Sequence, residues 1–269
     1  MTLSKCRIAV GLALSLTCAT ALTPSSASAQ PAWPDCSSNY PGDIPPQVTT
    51  PNLAGDVKEL CYHGFAVTFS GKAPGPLSSS HFLTRQRMAA AEHMDTGTGS
   101  QTGTTVHTEM RLPPGQRAQL SDFARSGYTA QQLSSTANMP DIDSRADSAT
   151  MANTVPMTAA LSQDQWTAVQ RSVRNLLAQI DILYIATGAI YGSGAASATK
   201  AGNVAVPNGM FKALYSPEQG WAGAYVCDNN AHPTCRIVTL AALQSVAGID
   251  VFPAVPDAIK QAEPPLPPI

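Results

Sequence analysis

The sequence predicts a mixed α and β fold, and three stretches predict it. "LCYHGFAVTFS" (Leu60 to Ser70) is rich in aromatic and β-branched residues, which suit a pleated surface, and reads as a strand. Trp166, Val169, Val173, Leu176, Leu177 and Ile180 recur at three- and four-residue steps. That spacing describes a helix of about five turns with one apolar stripe facing a core. "ILYIATGAIYG" then reads as a buried strand ending in a glycine turn.

The remaining elements follow in chain order. Lys5 and Arg7 precede the apolar run "IAVGLALSLTCATAL", and "SASA" stands just before Gln30, so residues 1–29 read as an export signal. The run is too short and too poorly flanked to be a membrane anchor. Cys18 is a poor lipidation site, because Thr17 stands where such signals carry Gly or Ala. The expected destination is the periplasm or the exterior. Residues 30–56, rich in Pro, Ser, Asn and Gly, read as an arm ordered mainly by Cys36, ahead of a domain over residues 57–260. "TGTGSQTGTT" (Thr96 to Thr105) can bury almost nothing and reads as a mobile loop. "SGYTAQQLSSTANMP" (Ser126 to Pro140) reads as a polar loop. Ser162 followed by Gln165 fits a capping box and places the helix start there. "NVAVPNGMFKALYS", "GAYVCDN" and "CRIVTL" continue as short strands, and "LAALQSVAGI" as a short helix. Residues 261–269, with "AEPPLPPI", read as an exposed polyproline tail. There is no repeat at a fixed period and no heptad run.

Charge and cysteines bound the chemistry. Loss of the signal removes Lys5 and Arg7, taking 16 basic against 18 acidic residues to 14 against 18, a formal charge of −4. That balance argues against a general polyanion-binding surface and leaves room only for a local patch. Cys6 and Cys18 leave with the signal, so four of six cysteines remain. An even count in an exported chain implies disulfides, and of three pairings the local one joins Cys36 to Cys61 and Cys227 to Cys235 around the turn "DNNAHPT". Four free thiols fit an oxidising compartment poorly. A zinc site lacks a close Cys pair, and His232 has no fourth partner.

The segments "LCYHGFAV", "SGY....L...ANMP", "MANTVPM", "LSQDQW", "LYIATGAIY", "VPNGMFKALY", "AYVCDN" and "AGIDVFP", in this order from about Leu60 to Pro256, resemble the bacterial DNA/RNA non-specific endonucleases. The resemblance implies an α+β fold, a ββα-metal nuclease-like domain with a central antiparallel sheet flanked by helices. It also implies hydrolysis of phosphodiesters in DNA and RNA with one divalent cation, usually Mg2+. That chemistry needs a base for the attacking water, oxygen ligands for a hard cation and a cation near the phosphate oxygens.

At the family's Asp-Arg-Gly-His motif this chain carries Thr129, Ala130, Gln131 and Gln132. An amide accepts no proton at neutral pH, so Gln132 cannot be the general base, and Ala130 lacks the guanidinium that would contact phosphate. Ser162 stands at the family's metal-binding Asn, and Gln170 at the Glu that holds metal-bound water; neither is charged. Arg174 keeps the family's basic residue one turn later, as a phosphate contact or a solvated helix charge. Asn153 in "MANTVP" also matches, either in a structural role, hydrogen-bonding a turn, or as a ligand. Losing a base alone costs about 10²- to 10⁴-fold, and the losses act on one unit. The expectation is a family member without efficient magnesium-dependent cleavage, with DNA or RNA still a potential ligand. The alternative is an active enzyme with relocated groups: His107, in a flexible region, is the candidate imidazole, and Asp141 and Asp143 either form a cation site or cap and shape a turn. A purely structural envelope protein is a third option.

Overall fold

The computed structural model describes residues 36–73, 75–96, 105–192 and 199–269. The export signal, the start of the arm and the centre of the Thr96 to Thr105 tract lie outside the described residues.

A short strand β1 (Gln47–Val48) precedes a hairpin of β2 (Val57–Tyr62) and β3 (Phe65–Ser70). The stretch read as one strand is therefore two. Gly64 adopts φ +80° between them, a left-handed conformation that a side chain would strain, and the chain reverses there. The strand β4 (Gly75–Thr84) runs directly into helix α1 (Arg85–Thr96), and the short helix α2 (Leu120–Phe123) follows. The opening of the predicted polar loop is instead a strand, β5 (Tyr128–Gln132). After α3 (Ile142–Ser148), β6 (Thr154–Thr158) pairs antiparallel with β5, setting Gln132 opposite Thr154 and Ala130 opposite Pro156. Cross-strand backbone bonding gives these polar residues an extended form that their composition does not advertise.

A single π-type turn (Leu161–Gln165) leads into α4 (Trp166–Leu176). Helical backbone already starts at residue 159, before Ser162, and Thr158 provides the cap: its Oγ1 accepts the Leu161 N–H at 3.3 Å. Ser162 is thus not the cap, and its hydroxyl points to Gln131 Oε1 at 3.4 Å. Next come β7 (Ile182–Ile190), the small pair β8 (Lys200–Ala201) and β9 (Val204–Ala205), then β10 (Gly209–Ser216), β11 (Trp221–Asp228) and β12 (Cys235–Val238). The helix α5 (Leu240–Ala247), the strand β13 (Ile249–Asp250) and the helix α6 (Asp257–Gln261) close the order.

Seven strands form one antiparallel sheet in the order β12-β11-β10-β7-β4-β3-β2. Disulfides tie both of its edges. Cys36–Cys61 fastens the arm to β2, and Cys227–Cys235 joins directly opposed residues of β11 and β12. The predicted stripe of α4 is buried, with Trp166, Val169 and Val173 packed into the same cluster as Ile185, Phe211 and Tyr225 of the sheet.

Two terminal predictions change. The second half of the arm belongs to the fold: β1 pairs with β13, Leu53 is buried, and its carbonyl accepts the Ser70 hydroxyl at 2.7 Å. The proline tail is only partly exposed. Leu266 joins the main core, because β11 offers it a notch described below.

Candidate active site

The ribbon of β5 and β6 and the turns that follow them gather the motif residues. Gln132 Oε1 accepts from the Thr136 N–H at 3.2 Å and from the Thr136 hydroxyl at 3.0 Å, while Nε2 donates to the Ser148 carbonyl at 3.0 Å. Asn153, fully buried just before β6, completes the same knot. Its Oδ1 accepts from the Ser134 N–H at 3.0 Å, and its Nδ2 donates to the carbonyls of Ser134 at 2.8 Å and Ser148 at 2.9 Å. Both amides converge on Ser148 O. Buried polar groups demand such partners, and two carboxamides supply donors and acceptors together without a charge to desolvate.

Beside the knot lies a cavity of about 210 Å³ lined by Val106, Leu120, Ala130, Gln131, Gln132, Ala149, Met151 and Thr154. No charged side chain lines it. Gln170, half-buried, and Arg174, exposed, lie on α4 and are not part of this lining. Of the predicted positions, then, Ala130 and Gln132 meet in the cavity, and Ser162 reaches it through Gln131.

The floor beneath α4 holds a feature that sequence reasoning missed. Ser79, Thr187, Lys212 and Tyr225 are successive register partners on β4, β7, β10 and β11, so one polar row crosses the sheet. Lys212, 4 % exposed, donates from Nζ to Thr187 Oγ1 at 2.7 Å and sits 5.7 Å from the Trp166 ring centroid. Burial, helped by the Arg174 charge, pulls the ammonium down to about 7. At the other end Ser134 Oγ lies 2.8 Å from Ser79 Oγ and 3.0 Å from His81 Nδ1. Asn138 Nδ2 faces His81 Nε2 at 3.4 Å, which makes Nε2 the acceptor and Nδ1–H the donor. The imidazole is neutral: burial first, then Lys212 and Arg87, hold it well below the ordinary histidine range. The only sequence sign of this row is a lone lysine inside the apolar strand "GMFKALYS".

The relocated groups fare differently. His107 is no part of a free loop. Its N–H donates to Ala149 O at 3.2 Å, its carbonyl accepts from Met151 N at 2.8 Å, and its ring Nδ1 lies 3.2 Å from Thr105 O. Asp141 caps α3, with Oδ1 accepting the Ser144 N–H at 2.8 Å, and Asp143 sits in the first turn of that helix. Another imidazole carries a carboxylate partner: His63 Nδ1 lies 2.8 Å from Asp147 Oδ2, with its side chain 54 % exposed.

The donor set does not fit a hard cation. Ser162 presents a hydroxyl in place of the family's Asn carboxamide and directs it to Gln131 Oε1, no carboxylate lines the cavity, and the Asn153 oxygen is turned onto a backbone N–H. The one cluster of metal-capable groups among the described residues is Cys36, Glu59 and Cys61, and both sulfurs are spent in the disulfide.

The profile of the DNA/RNA non-specific endonucleases matches residues 45–258. The chain belongs to the DNA/RNA non-specific endonuclease family. Among solved structures it is similar to a chain of the one described as "Crystal structure of the EndoG/EndoGI complex: Mechanism of EndoG inhibition", with 20% identity and a TM-score of 0.59 over 74% of this chain and 88% of that one. That likeness carries the fold. No curated protein sequence matches. The family match begins at residue 45, consistent with β1 and Leu53 being part of the endonuclease fold.

Proposed function

We propose that this endonuclease family member is exported, keeps the fold and no longer cleaves, and that it binds DNA or RNA through local contacts such as Arg174. The observation that carries this reading is Gln132. It stands at the base position of the family motif with both ends of its amide engaged, on Thr136 and on Ser148 O. A general base needs a free lone pair of suitable pKa within reach of water. The neutral lining of the adjacent cavity supports the same conclusion for phosphate and for Mg2+. Export of a chain beginning near Gln30 is supported by the charged and apolar N-terminal pattern and by two disulfides.

The test compares the natural chain with a variant carrying Gln132→His, Ala130→Arg, Ser162→Asn and Gln170→Glu on plasmid and on RNA, with magnesium or manganese and with chelator. The reading expects silence from the natural chain and metal-dependent cutting by the variant. A second reading, a relocated base, is favoured by the His63–Asp147 pair, in which the carboxylate orients the ring as a base requires. It expects chelator-sensitive cutting by the natural chain that His63→Ala abolishes.

A further inference from the structure

The C-terminal segment occupies a seat shaped for it. Gly223 on β11 has no side chain, and a Cβ there would stand 2.2 Å from Pro264 Cβ and 3.2 Å from Leu266 Cδ1. Only glycine admits the segment. Leu266 is 7 % exposed in the notch so formed. Two residues along the strand, Tyr225 donates its hydroxyl to the Pro267 carbonyl at 2.7 Å, and its oxygen also lies 2.9 Å from Ser172 Oγ on α4. An apolar notch for one side chain plus a phenol hydroxyl on a proline carbonyl are the elements by which grooves take extended proline-rich chains. The other side of the segment is not closed. A cavity of about 640 Å³ separates Pro265, Pro268 and Ile269 from Arg171 and Asn175 of α4, within the size range of ligand sites.

We propose that the cleft between β11 and α4 is a binding site for extended proline-rich peptides, filled in cis by residues 264–268, which act as a tethered competitor. The incoming partner places a proline over Gly223, an apolar residue beside it and a carbonyl on Tyr225, as Pro264, Leu266 and Pro267 do. A tethered segment presents itself at an effective concentration of about millimolar, so it excludes weak ligands while yielding to stronger or locally concentrated ones. This inference stands whether or not the chain cleaves nucleic acid.

The probe is the fluorescein-labelled peptide QAEPPLPPI, followed by anisotropy against the full chain and two full-chain variants, Leu266→Asp and Pro264→Gly. Both variants loosen the strap and leave the cleft untouched. Weak binding to the natural chain and about tenfold or tighter binding to the variants is expected, because the internal competitor is weakened. A peptide with Asp in place of its leucine should not bind, and adding Tyr225→Phe to a loosened variant should cost several-fold. Circular dichroism reports whether each variant folds; if Leu266→Asp does not, Pro264→Gly decides. Equal affinity of the natural chain and a folded loosened variant, or equal binding of the Asp peptide, overturns the proposal.

Discussion

Two polar regions of this molecule solve burial in opposite ways. At the motif, Gln132 and Asn153 knit Ser134, Thr136 and Ser148 together with neutral carboxamides that each bond through both oxygen and nitrogen. Beneath α4, Lys212 is buried with a single hydroxyl acceptor, and its ammonium responds by giving up its proton readily. The contrast bears on what the β5 ribbon can do chemically. A working hydrolytic site holds basicity and charge in reserve, with lone pairs left unsatisfied for water, phosphate and metal. At the β5 ribbon the amide oxygens and nitrogens of Gln132 and Asn153 are committed to protein partners, and a buried ammonium lies on the sheet floor.

The largest expected effect comes from cutting the knot. Asn153→Ala orphans the Ser134 N–H and removes the donor to two carbonyls in a fully buried site, so it should cost about 3 kcal/mol or more in urea unfolding. An effect under 1 kcal/mol would mean that the amide is not structural.

The lysine side of the comparison is sharpened by pH. Its folded value lies below its unfolded one, so between about 7 and the ordinary lysine range the unfolded chain holds a proton that the folded chain lacks. Stability should therefore rise with pH across that window, with a slope approaching about 1.4 kcal/mol per pH unit, and Lys212→Met should flatten it. His81 is also depressed, so stability is expected to fall as pH drops below about 6.5, and His81→Asn should remove that acid limb. The groups facing this row are Lys212, Arg87 and Arg174, none of them acidic.

Smaller effects follow. Gln132→Ala should destabilise by about 1 kcal/mol, the net worth of a typical hydrogen bond when solvent can reach part of the site. Arg174→Ala should leave stability unchanged and lower the salt slope of nucleic-acid binding in gel shifts by about 1, if the exposed guanidinium meets one phosphate. A slope that does not move would remove Arg174 from the interface.

Legibility varied with how strongly each element advertises its burial. The stripe of α4 and the apolar run of β7 were readable because each keeps one period over many residues. β4, a central strand, was not: Ser78, Ser79, Ser80 and His81 are all buried, yet in sequence they look like a solvated turn. Their burial depends on partners such as Ser134, 55 residues from Ser79, which no local window contains. β5 hid for a related reason, since a two-stranded ribbon needs no apolar face. The tail misled because Pro-rich composition describes its conformation and says nothing of the Gly223 notch that receives it. Within the site, the resemblance drew attention to the residues of the β5 ribbon, whereas the polar row under α4 arises from register across four strands.

The most direct test of the central claim is the turnover of a labelled oligonucleotide by the natural chain at pH 5 to 9, with magnesium and with chelator. No chelator-sensitive cleavage above the protein-free background at any pH is the predicted result. Chelator-sensitive turnover that rises through a single titration near that of an imidazole would contradict it, because a proton acceptor would then be at work where this chain presents only amides.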